Sequence, residues 1–101
     1  MKEIKKLSEQ IDAELKDSEK YIKAAFKYRE IRPALGDLYF ELSKAEMDHV
    51  ARLHDAVARI ISDYSESNPI PEGMQAVYTY LHEKHIKWAS KIKAKQDEYK
   101  G

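Results

Sequence analysis

Apolar residues recur along the first part of the chain at steps of four and three. Leu7, Ile11, Tyr21, Ala25 and Tyr28 fall on one line, with Glu14 and Ser18 completing the register. That spacing is one face of an α-helix. Ile4, Leu15, Ile22 and Phe26 widen the stripe, and no glycine or proline interrupts it. A helix is therefore predicted over about residues 2–29. Pro33 then suits the first turn of a second helix, where its missing N–H costs nothing. It also drives Arg32 out of helical geometry. The second helix is expected over residues 33–64, with Tyr39, Leu42, Glu46, His49, Leu53, Ala56 and Ile60 in register. So short a connection makes the two helices antiparallel neighbours.

Residues 65–73 concentrate two prolines, a glycine and polar turn formers, and are expected to be a loop. A third helix is expected over residues 72–98. Val77, Leu81, Trp88 and Ile92 are its main apolar positions, with Met74, Tyr78 and Ala89 beside them. Its charged end, from Lys93 to Glu98, is expected to fray. The expected fold is all-α: a long antiparallel helical hairpin plus a third helix, in a single domain covering residues 1–101.

Composition strengthens this reading. With 3 Gly and 3 Pro in 101 residues, breakers are too few for a sheet protein, which needs a turn every ~8–12 residues. Two or three long helices also make a thin core, so a partner is expected to complete the structure. The 18 basic and 18 acidic side chains cancel, which argues against a nucleic-acid binder. No apolar run approaches the roughly 20 residues of a membrane helix, and no secretory signal is visible. The absence of cysteine removes disulfides and thiolate-bound metals. A cytoplasmic location is the expectation.

Polar residues sit where the stripes call for apolar ones. Glu14 interrupts the first stripe; Glu46 and His49 interrupt the second. A buried carboxylate must be paired, protonated or bound to a metal. Glu14 precedes Arg32 by 18 residues and His49 follows it by 17, so in a hairpin the two stand at nearly one height. Glu46 is one turn nearer the apex on the face of His49. Two carboxylates and an imidazole suit iron or manganese, with zinc as a further option. Asp17 and Glu19 are rival carboxylates that fall off the stripe, and Asp48 points away from it. Tyr21 and Tyr39 each lie two turns from a carboxylate. They are either core aromatics seeking a polar partner or groups that bond or serve the site. His82 and His85, with Glu83 between them, read as packing and surface residues or as a second metal group. His54 reads as a flank residue. Without metal, Glu14, Glu46 and His49 would be a polar layer that fixes helix register.

Glu14, Tyr21 seven residues on, and Glu46-Met47-Asp48-His49 together resemble the ferritin, bacterioferritin and rubrerythrin superfamily over about residues 5–61. The resemblance implies a ferritin-like half-bundle with Glu14, Glu46 and His49 as metal ligands and catalytic residues. The implied chemistry is Fe(II) oxidation at a di-iron centre. Full members of that superfamily supply a second Glu and Glu-x-x-His from two more helices, and this chain has no second Glu-x-x-His. A homodimer would restore four helices, four carboxylates and two histidines. That layout is similar to the short encapsulated ferritin-like proteins, whose iron site lies at a subunit interface and whose partner is an enclosing shell. No apolar cargo peptide follows Tyr99. The alternatives are a metal-free helical dimer acting in interaction or assembly, and an oxygen-independent metal sensor.

Overall fold

The computed structural model describes residues 2–101, which form three α-helices and, among the described residues, no strand. These are α1 (Lys2–Tyr28), α2 (Pro33–Ser67) and α3 (Glu72–Lys100). The 35 residues of α2 span ~53 Å at about 1.5 Å each. That length sets the 55 Å long axis of a body 18 by 16 Å across.

Local chemistry fixes the helix ends. Arg32 is extended, at φ −142° and ψ 84°, and Pro33 follows as the first helical residue. The Arg32 N–H donates to the Tyr28 carbonyl at 2.8 Å, closing α1, and the Arg32 carbonyl accepts from Gly36 at 3.0 Å, opening α2. The second break is shorter than expected. Ser65, Glu66 and Ser67 form the last turn of α2, and Glu72 and Gly73 begin α3. Ser65 Oγ donates to the Ser62 carbonyl at 2.9 Å, so this serine supports the helix instead of ending it. The stop comes at Asn68, which Pro69 forces into extended geometry.

The hairpin forms as expected, but its buried face is turned by about one residue. On α1 the buried positions are Ile4, Ser8, Ile11, Leu15, Ser18, Ile22 and Ala25. Leu7, Glu14, Tyr21 and Tyr28 are half-buried along the flank. On α2 the buried positions are Gly36, Phe40, Ser43 and Val50, and none of the seven stripe residues from Tyr39 to Ile60 is among them. Helix α3 is the cause. It lies against the other flank of the hairpin, and its side chains bond Asp12 and Glu19 on α1 and Asp37, Ser43 and His54 on α2. Of the Tyr39–Ile60 stripe, Tyr39 and Leu53 pack partly against the core, Leu42 and His49 stay exposed, and Leu42 and the neighbouring Leu38 are 37% and 53% accessible.

The core has two apolar parts. Ile11, Leu15, Val50 and Ile92 form one, with Met47, Leu53, Val57, Trp88 and Ala89 against them. Ile22, Ala25, Phe40 and Tyr99 form the other, with Phe26 and Tyr39. Each fully buried aliphatic side chain contributes roughly 1.5–3 kcal/mol. A buried polar lattice accompanies them. Ser18 Oγ donates to the Ser43 carbonyl and Ser43 Oγ to the Ser18 carbonyl, both at 2.8 Å. Gln96 Nε2 on α3 donates to Ser43 Oγ at 2.9 Å. Small side chains let the backbones approach closely here. At Gly36 an added Cβ would meet the Tyr99 hydroxyl at 3.0 Å and the Ala25 carbonyl at 3.1 Å.

The end of α3 is packed, contrary to the expected fraying. Gln96 and Tyr99 are buried. The Tyr99 ring stacks on Phe40 at 4.8 Å and meets Phe26 edge-on at 5.5 Å. Its hydroxyl donates to Asp37 Oδ1 at 2.7 Å. Among the described residues no helix is long and apolar enough to cross a membrane.

Candidate metal centre

Glu14 on α1 and Glu46 and His49 on α2 meet on this partly exposed flank of the hairpin. Their ligand atoms all lie within 4.8 Å of one another. His49 Nδ1 stands 3.5 Å from Glu14 Oε2 and 3.8 Å from Glu46 Oε1. Both separations exceed a good N–H···O bond of about 2.7–3.2 Å. They are close to the ~3.0–3.5 Å between two donors that share one ion at about 2.1 Å. The carboxylates are sheltered and the imidazole is open: the Glu46, Glu14 and His49 side chains are 20%, 28% and 53% exposed.

One oxygen marks the site chemically. Glu14 Oε2 is shut off from solvent and takes no hydrogen bond. A buried acceptor left unpaired costs about 1–3 kcal/mol. A cation held by both carboxylates and His49 Nδ1 would relieve that cost. The donor set, two hard oxygens and one imidazole, fits iron or manganese. One chain offers only half of a two-metal ligand set. Among the described residues this is the only group of three or more His, Asp or Glu side chains placed to hold a metal.

The rival residues fall elsewhere. Asp17 and Asp48 are exposed. Glu19 accepts from Trp88 Nε1 at 3.2 Å and pairs with Lys23 at 3.7 Å, so it serves the α1–α3 contact. Tyr21 and Tyr39 stack with ring centroids 6.1 Å apart, and Tyr28 joins Tyr39 at 5.9 Å. Among the described residues no hydrogen bond joins the Tyr21 or Tyr39 hydroxyl to Glu14 or Glu46.

The other histidines form a separate group under α3. His85 is buried and its Nε2 lies 2.8 Å from Asp12 Oδ1, a pairing across 73 residues. Sequence reasoning missed Asp12. Its signal is the seven-residue step to Glu19, which places both carboxylates on the flank that α3 covers. His54 is half-buried at the edge of α2, and its Nε2 faces His82 Nδ1 in direct contact. Burial, and then the neighbouring His82 charge, hold the His54 pKa below its usual 6.5.

No protein-family model, curated protein or solved structure matches the chain, so its chemistry is read from these residues themselves.

Proposed function

We propose that two copies of this chain pair through the partly exposed flank to build a ferritin-like four-helix bundle that oxidises Fe(II). Each copy would contribute Glu14, Glu46 and His49, giving four carboxylates and two imidazoles for two irons. The observation that carries this reading is Glu14 Oε2, buried and without a hydrogen bond, converging with Glu46 and His49 on a flank where Leu42 and His49 stay exposed. Leu38 and Leu42 on one side and the half-buried Ala56 and Ile60 on the other would provide apolar surface around the ligands.

Iron is the substrate. Two Fe(II) give one electron each. Dioxygen takes the pair with two protons to form hydrogen peroxide; with peroxide as the oxidant the product is two waters. Carboxylates favour the ferric state because hard anionic oxygens stabilise the higher charge. Glu14 and Glu46 would offset cation charge in a sheltered setting, and His49 would fix one position from α2. Iron storage would need an enclosing assembly, such as a shell, because a dimer encloses no cavity.

The test is addition of Fe(II) in air, followed by ferric absorbance in the near ultraviolet. Wild-type protein should oxidise iron well above the buffer rate, and Glu46→Ala should return it to background. A Glu46→Ala variant as fast as wild type would overturn the reading. The second reading, a metal-free helical interaction protein, is favoured by the exposed Leu38 and Leu42 on the same flank. A dimer with no iron-dependent absorbance and unchanged stability in chelator would support it.

A further inference from the structure

A cavity of about 240 Å³ lies on the opposite side of the hairpin, between α3 and the outer halves of α1 and α2. Aliphatic side chains such as Ile4, Ile11, Val57 and Leu81 form its walls. His54, His82 and His85 all border it. A concave apolar space with a few convergent polar groups is the usual form of a small-molecule site. We propose that this cavity binds a small carboxylic acid with an apolar tail of six to eight carbons, its headgroup seated at the His54–His82 pair.

The size follows from the volume. A cavity of about 150 Å³ holds benzene, so about 240 Å³ accommodates on the order of ten non-hydrogen atoms. Octanoate has that many.

The charge follows from the imidazoles. His85 is committed to Asp12, which leaves His54 and His82 to face each other. Facing ring nitrogens need one proton between them, supplied by one neutral imidazole to the other. A further proton would make the pair cationic, and burial together with the His82 charge resists that at His54. An entering carboxylate would reverse the balance. The other groups are Asp55 on α2, whose charge favours His54 protonation, His85 on α3, whose charge opposes it, Asp12 on α1, and Glu83 and Tyr78 on α3. Burial and Tyr64 push the Tyr78 pKa above its usual 10, so its hydroxyl remains a neutral donor at the cavity wall. Binding of the acid would therefore draw in a proton. The affinity should tighten as pH falls from 8 toward 6, a range in which a carboxylic acid is still ionised.

Calorimetry with octanoate and octanol tests this in two buffers of different ionisation enthalpy. The expected result is saturable octanoate binding below about 1 mM at pH 6.5. It should be accompanied by proton uptake, and octanol should bind at least about tenfold more weakly. His54→Ala should remove the preference for the acid while still binding octanol, and His82→Gln should do the same. Ala58→Phe, an exposed position on the cavity rim, should block both ligands without loss of helicity. Equal binding of acid and alcohol would overturn the proposal. So would a preference that survives in both histidine variants, or a pair that takes up Zn²⁺ while ignoring octanoate.

Discussion

Replacing Glu14 with glutamine separates the cost of the site from its use. In the metal-free protein Glu14 Oε2 is sheltered and accepts nothing, although 28% of the side chain remains accessible. An unpaired buried acceptor costs about 1–3 kcal/mol, and partial exposure places this one near the lower end. Glutamine keeps the shape and removes the charge, which lowers the cost of shutting the group away from solvent. The metal-free variant should be more stable than wild type by about 1 kcal/mol. For a domain of this size that is a rise of about 4–8 °C in Tm. With metal the order should invert, because wild type gains stability with free ion concentration by mass action and the variant loses that gain. The assay is thermal unfolding by circular dichroism at fixed protein concentration, in chelator and in excess Mn(II). If Glu14→Gln is less stable than wild type by 1 kcal/mol or more in chelator, the carboxylate already has a partner without metal. The case for an ion-binding site would then fail.

Other outcomes follow from the packing. Ser43→Ala removes the partner of Gln96 Nε2 and the cross-helix bond to the Ser18 carbonyl, and should cost about 2 kcal/mol in denaturant unfolding; Ser18→Ala added to it should cost less than its own single effect. Gly36→Ala gains helix propensity but meets Tyr99 Oη and the Ala25 carbonyl at 3.0 and 3.1 Å, so a net loss of about 1 kcal/mol is expected, with the Tyr99–Asp37 bond disturbed. If the chain pairs as proposed, Leu38→Glu with Leu42→Glu should give monomers by light scattering where wild type gives dimers; a variant that dimerises as wild type does would place the interface elsewhere. His54 binds its proton less readily in the folded chain than at its unfolded pKa of 6.5, so stability should fall as pH drops below 6.5 toward the folded pKa. His54→Asn should flatten that slope in thermal scans between pH 7 and 5.5.

The helices were legible because breakers are scarce and the apolar steps of four and three are long and regular. The faces were less so. Tyr21, Tyr28 and Tyr39 read as core because they are large and partly apolar, yet they lie half-buried on a flank. The closest helix contact runs instead through Ser18, Ala25, Gly36 and Ser43, residues that carry little hydrophobic signal because their use is to be small. Helix α3 hid its face for a related reason. Three of its four buried residues, His85, Gln96 and Tyr99, bury themselves by meeting Asp12, Ser43 and Asp37. Such pairings join residues more than 50 positions apart and leave no periodic trace in one chain. The Glu14, Glu46 and His49 cluster was legible because its interruption of two stripes and its distance from the hairpin apex are both local arithmetic.

The serine lattice also acts as a gauge block for that cluster. Ser18 lies one turn beyond Glu14, and Ser43 lies one turn before Glu46, so the crossed hydroxyl–carbonyl bonds clamp α1 to α2 a single turn away from the three side chains of the cluster. Greasy surfaces slide past one another at small cost, but a slip of one turn, about 5.4 Å, would break both bonds and leave two buried hydroxyls without these partners. The same slip would carry Glu14 out of reach of His49. The alignment tolerance of the cluster is thus set by hydroxyl groups that never touch it, and a helix pair held by leucines alone would hold the same three residues with more play.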